Sequence, residues 1–230
     1  MKKLIEINQK KCKDLIKRLT ELLERNMKKL LQLLVSLLFF LNPAGAQENI
    51  NDQTFTGKIL IVYFSRADEN YISGDLKKLT EGNTSVVAHK IQNITGADLF
   101  EIKAVTPYPE GYYETTDIAR KELNSQARPE IAGSLPNISK YDVIIIGHPI
   151  WWGTMPTIVM NFLEQCNFSR KKVISFCTHE GSGFGESIND LKNLCKDADF
   201  GESLAIEGGK VNSKETDTDI KKWLSINELI

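Results

Sequence analysis

The chain has 230 residues, 41% of them hydrophobic and 26% charged, which leaves room for one or two domains of about 100–200 residues and is too apolar for a disordered chain. Fifteen Gly and seven Pro exclude a collagen-like or Pro-rich polymer, and four Cys without a CxxC spacing exclude a zinc ribbon or a disulfide-stapled mini-protein. Three widely spaced His offer little to a metal, and a net charge of −1 gives no general attraction to nucleic acid.

The charge is uneven along the chain. Residues 1–46 carry ten Lys+Arg and four Asp+Glu, so the remainder carries −7. From Met27 the sequence reads as a secretion signal. Lys28 and Lys29 form a basic start, Leu30 to Leu41 is an apolar run, Asn42-Pro43 breaks the helix, and Ala44-Gly45-Ala46 supplies a small-residue cleavage site. That run is shorter than the ~20 residues a membrane span needs, so no permanent anchor is expected after cleavage. No Cys follows Ala46 to take a lipid. Residues 1–26 are an extension ahead of a complete signal. They are either untranslated, with Met27 as the start, or an amphipathic helix through Leu15, Leu19, Leu22 and Leu23. The expected exported product begins near Gln47, with 47–57 as a short linker and 58–230 as one domain, periplasmic or extracellular.

After the linker, strands and helices alternate. Lys58 to Phe64 is a β-branched, apolar run suited to a buried parallel strand. The spacing predicts a helix over 84–94, a strand over 98–105 and a helix over 112–126, stopped by Arg128-Pro129. Tyr141 to Gly147 is the strongest central strand. A helix over 157–166, a strand over 172–177, a helix over 186–195, a weak strand over 203–206 and a last helix over 217–224 complete the pattern. Such alternation implies an α/β fold, a doubly wound parallel sheet with helices on both faces. Ligands in these sheets bind outside the carboxyl ends of the strands.

Three loops therefore carry the information. The first begins Ser65-Arg66 and ends Gly82-Asn83-Thr84, where hydroxyls and unpaired N–H groups at a helix start suit an anion; simple N-capping by Asn83 or Thr84 is the alternative. The stretch from Ala67 to Glu81 is long against the usual ~2–6 residues of a βα loop, which points to a functional excursion. The second, Gly147-His148-Pro149-Ile150-Trp151-Trp152-Gly153-Thr154-Met155-Pro156, places two indoles just after a core strand, flat surface for a flat ligand; ordinary packing of the two Trp is the alternative. The third runs Thr178-His179-Glu180-Gly181-Ser182-Gly183-Phe184-Gly185, whose glycines let backbone approach a ligand. Its spacing is neither the dinucleotide fingerprint nor a hydrolase nucleophile elbow. His179 is either a site group or a plain loop residue.

Taken together, KILIVYFSRA, GNTSVVAHKI, TGADLFEIK, YPEGYYETTDIARKEL, ARPEI, YDVIIIGHPIWWGTMP and CTHEGSGFG resemble the flavodoxin family. The resemblance spans roughly Lys58 to Leu224. It implies a flavodoxin-like five-stranded parallel sheet in the order 2-1-3-4-5, the order for which flavodoxin is the standard example. It also implies flavin mononucleotide (FMN) as cofactor. Ser65, Asn83 and Thr84 would hold the phosphate, with Arg66 beside them. Pro149, Ile150, Trp151, Trp152 and Gly153 would line the isoalloxazine ring, and Thr178, His179, Gly181, Ser182 and Gly183 would cover its other edge or face.

In such a protein the cofactor supplies the chemistry and the protein tunes it, so no catalytic side chain is expected. The expected function is electron transfer through bound flavin, with a redox partner protein or a small-molecule electron acceptor. The alternatives are an NAD(P)H-dependent quinone reductase and a binding domain that has lost its flavin. Of the three cysteines after the signal, Cys177 is expected to be buried packing.

Overall fold

The computed structural model describes residues 55–230 and, before them, only positions 23, 27 and 29. Apart from those three positions, the extension, the expected signal over 27–46 and most of the linker lie outside the described residues. Among the described residues no helix is long and apolar enough to cross a membrane.

The first strand, β1 (Ile59–Tyr63), is buried at every position. A hairpin follows, β2 (Asp68–Ile72) and β3 (Asp75–Leu79), then α1 (Asn83–Thr95) and β4 (Asp98–Glu101). Next come α2 (Tyr112–Asn124), β5 (Val143–Pro149), α3 (Thr157–Glu164) and β6 (Lys172–His179). The chain closes with α4 (Ser187–Leu194), β7 (Asp199–Phe200), β8 (Leu204–Glu207) and α5 (Lys214–Ile226).

The main sheet runs β4-β1-β5-β6-β7, with β8 also paired to β6, and every pairing in it is parallel. This is the expected order with the fifth strand split in two. β7 pairs the start of β6 (Lys172↔Asp199) and β8 its end (Phe176↔Leu204). Gly201 sits in the break, where a Cβ would lie 2.3 Å from the Asn227 side-chain oxygen. That buried oxygen accepts from the Glu202 N–H at 3.0 Å.

The period of two along β1 feeds two cores. Leu60, Val62 and Phe64 join Ile158, Val159, Phe162 and Leu163 of α3 on one face. Ile59, Ile61 and Tyr63 join Val87, Ala88 and Ile91 of α1 and Ile220, Trp223 and Leu224 of α5 on the other. Burial on both faces is why these strands read as continuous apolar runs.

Three differences from the expected elements bear on function. The excursion after β1 is an antiparallel hairpin, with Ile72 opposite Asp75 and Ser73-Gly74 at the tip. Both tip residues have positive φ (53° and 96°), as a type I′ turn requires. The strand expected to reach Val105 stops at Glu101, because Ala104 bridges Ile131 instead. Both β5 and β6 continue two residues past their expected ends, pairing His148↔Cys177 and Pro149↔Thr178. Backbone pairing carries a strand onward where the apolar pattern has stopped. His148, Pro149, Thr178 and His179 thus sit in strand ends, not in loops.

Candidate cofactor site

A cavity of about 270 Å³ lies at the carboxyl ends of β1, β5 and β6, near the lower end of the ~300–1,000 Å³ of small-molecule sites. One end is the start of α1. Gly82 caps that helix without a side-chain bond, and a Cβ there would lie 2.3 Å from both Arg66 O and Ser65 Oγ. Glycine therefore lets the helix start press against the end of β1. Ser65 Oγ accepts the Ser85 N–H at 3.0 Å, and Gly82 O accepts that of Val86 at 3.2 Å. Among the described residues the N–H groups of Asn83 and Thr84 have no acceptor. The Thr84 and Thr178 hydroxyls meet at 2.8 Å and tie α1 to β6.

A second wall is the segment after β5. The Ile150 N–H donates to Thr178 O at 2.9 Å, and Trp151 and Thr154 exchange backbone bonds at 2.8 and 3.2 Å around a tight turn. Trp152 and Gly153 occupy that turn with φ of 52° and 82°. A tryptophan in this left-handed region costs on the order of 1–3 kcal/mol. Two contacts offset it: the indole Nε1–H donates to Thr116 O at 2.8 Å, and Arg120 stacks over the ring at 3.8 Å. Trp152 stays 47% exposed, so its ring is not core packing. Trp151 is more embedded, edge-on to Phe64 (5.3 Å) and Tyr108 (5.1 Å).

The third wall is Thr178, His179 and Glu180. His179 Nδ1 accepts the Gly181 N–H at 3.0 Å. The cavity lining includes Ser65, Arg66, Asn83, Thr84, Pro149, Ile150, Trp151, Trp152, Thr178 and His179. Gly153, Gly181, Ser182 and Gly183 lie outside it. Gly153 instead anchors the neighbouring loop, its carbonyl accepting the Glu186 N–H at 2.8 Å. Arg66 also differs from its expected role beside a phosphate. Its guanidinium donates to the carbonyls of Glu69 (2.6 Å), Pro109 (2.8 Å) and Glu110. The cation fastens the hairpin base to the β4–α2 connection. Half-burial lowers its pKa, opposed by Asp68 and Glu69.

Sequence reasoning missed a fourth wall: Asn70 and Tyr71 of the hairpin, Tyr112, Thr115, Thr116 and Ala119 of α2, with Gly208. Tyr71 and Tyr112 face each other at 6.1 Å. Burial, first, then Tyr113, Tyr71 and Glu180 raise the Tyr112 pKa, so it stays a neutral donor. The Ser73-Gly74 dipeptide was the available signal for the hairpin. Nothing local marks α2 as a wall.

One buried atom stands out beside this site. His148, fully buried on β5, donates from Nδ1 to Pro149 O at 3.2 Å, and its Nε2 has no partner among the described residues. Burial lowers its pKa to about 4, so it is neutral. Cys177, also buried, has its thiol pushed up to about 12 by desolvation, as expected of packing. Among the described residues no group of His, Cys, Asp and Glu could hold a metal.

The flavodoxin family model matches residues 58–227. The chain belongs to the flavodoxin family. It is similar to a candidate flavoprotein from Bacteroides eggerthii DSM 20697, at 29% identity and a TM-score of 0.60 over 74% of this chain and 97% of that one. It is similar to another from Bacteroides uniformis ATCC 8492, at 25% identity and 0.57 over 74% and 98%. A flavoprotein from Lactobacillus acidophilus NCFM, crystallised in complex with FMN, shares the fold at 24% identity and 0.53 over 73% and 98%. No curated protein matches the chain.

Proposed function

We propose that this flavodoxin-family chain binds FMN in the cavity and carries electrons through it. The observation that carries the reading is the pairing of two unlike features in one cavity. The N–H groups of Asn83 and Thr84, without an acceptor among the described residues, stand at a helix start, where an anion is favoured, and a strained, half-exposed Trp152 offers a flat face. The residues fit the group. Ser65, Asn83 and Thr84 would hold the phosphate, while Trp151, Trp152, Pro149 and Ile150 would meet the ring. Bound FMN supplies reversible redox chemistry. The protein's own groups bind, orient and exclude water. The crystallised FMN complex of the Lactobacillus relative supports the choice of flavin.

The proposed partners are a redox protein or a small-molecule electron acceptor. Export belongs to the same proposal and rests on the signal-like segment 27–46. N-terminal sequencing of exported protein should begin near Gln47, and a retained Met1 refutes it. For the cofactor, the purified chain is mixed with FMN, desalted, and its visible spectrum recorded during dithionite titration. A flavin spectrum that survives desalting and bleaches reversibly is expected. A colourless protein refutes the reading, and rapid NADPH-dependent turnover of a quinone would move it to a reductase.

A further inference from the structure

The β2–β3 hairpin lies across the cavity and is held at both ends. At its base, Arg66 grips the carbonyls of Pro109 and Glu110, and the Glu69 carboxylate accepts the Tyr112 N–H at 3.0 Å. At its tip, the Ser73 N–H donates to Glu180 Oε2 at 2.9 Å, just past β6. The tip also presses on the connection after β8, where a Cβ on Gly209 would lie 2.4 Å from Ser73 Oγ. In sheet order β1 and β8 are three strand spacings apart. That is roughly 14 Å at ~4.8 Å each, and a five-residue strand at ~3.3 Å per residue spans roughly 17 Å. The hairpin is thus long enough to cross the carboxyl ends of β5 and β6. Its own Asn70 and Tyr71 line the same cavity as Asn83 and Thr84.

Between its ends the hairpin is weakly held. Of its ten strand residues only Ile72 is buried. Few buried apolar contacts and polar attachments at the ends describe a segment that opens locally at low cost. The wall at the start of α1 is different in kind, since Asn83 and Thr84 start a thirteen-residue helix packed into the core.

We propose that the β2–β3 hairpin is a strap over the cofactor, with Tyr71 as a binding residue and the Ser73–Glu180 contact as its latch. FMN then enters and leaves only when the latch opens. The inference rests on the FMN reading.

The structure supplies its own lock. A Cβ on Gly209 would stand 3.7 Å from that of Ser73, inside the ~3.5–4.5 Å that a disulfide needs. Of the native thiols among the described residues, Cys177 and Cys195 are buried and pushed up to about 12, and burial pushes that of partly buried Cys166 up to about 11. The full chain carrying Ser73→Cys and Gly209→Cys is loaded with FMN while reduced, then oxidised, and the new bond is checked by peptide mapping. Release on dilution is followed by the rise in flavin fluorescence. Oxidised protein should release FMN at least about tenfold more slowly than the same protein reduced, a factor equal to ~1.4 kcal/mol of barrier. The wild type should show no such redox dependence. Equal release with the bond formed overturns the strap. If the bond does not form, Glu180→Ala decides: release should be faster by about tenfold, and unchanged release overturns it. If neither wild type nor reduced variant takes up flavin, the functional reading fails and the strap with it.

Discussion

Gly185→Ala tests whether the loops after β5 and β6 are held as one piece. Gly185 has φ of 52°, and a Cβ there would lie 2.0 Å from the carbonyl oxygen of Gly153. That oxygen is backbone and cannot swing aside freely, because it accepts the Glu186 N–H at 2.8 Å. A left-handed alanine costs ~1 kcal/mol, and loss of the inter-loop bond about another 1 kcal/mol. Displacing packed backbone adds roughly 1 kcal/mol more. The total of about 3 kcal/mol lowers Tm by roughly 6–12 °C for a domain of this size. Gly183→Ala is the control. Its φ of 60° carries the same backbone strain, but nothing lies within 4 Å of the added Cβ. It should cost only ~1 kcal/mol. Thermal unfolding of both variants, followed by circular dichroism, separates strain from collision. FMN titration should also show about tenfold weaker binding in Gly185→Ala, equal to ~1.4 kcal/mol at the displaced Trp turn. Equal Tm values for the two variants would refute the claim that the loops brace each other.

The tryptophans should separate stability from binding. Trp151→Ala loses two edge-on aromatic contacts and should destabilise by about 3 kcal/mol in urea unfolding, whereas half-exposed Trp152→Ala should stay within ~1 kcal/mol while weakening FMN binding; the reverse ranking overturns the assignment. Ser65→Ala removes the acceptor of the Ser85 N–H at the start of α1 and should cost about 1 kcal/mol of stability. It should also weaken FMN binding more than riboflavin binding, and equal losses would remove Ser65 from the phosphate end. His148, lowered from 6.5 to about 4 by burial, is neutral in the fold. The unfolded chain therefore binds the extra proton between these values, and stability falls as pH drops from 6.5 to 4. The loss from this group is about 3 kcal/mol. His148→Phe should flatten that part of the pH profile in urea unfolding, and an unchanged slope would mean the ring is not buried neutral.

What the sequence determined by itself is the central strands of the sheet and the helices that alternate with them. β1, β5 and β6 are apolar on both faces, and α1, α3 and α5 show helical spacing; both are local periodicities that burial imposes on neighbouring residues. The three loops at the strand ends were legible for a related reason, since Gly, Asn, Thr and paired Trp are unusual in runs just after core strands. Tertiary structure decided the rest. It split the fifth strand at Gly201 around Asn227, twenty-six residues away. It drew β5 and β6 two residues further than their apolar pattern, because a ladder needs only backbone. It turned Arg66 onto the carbonyls of Pro109 and Glu110, so a cation beside the expected phosphate loop became a fastener. It brought α2 and the tip of the hairpin to the cavity through contacts such as Ser73 to Glu180. Periodicity reports which face of an element is buried, but not which distant element covers it; that is set by where the chain returns, and only the folded structure contains it.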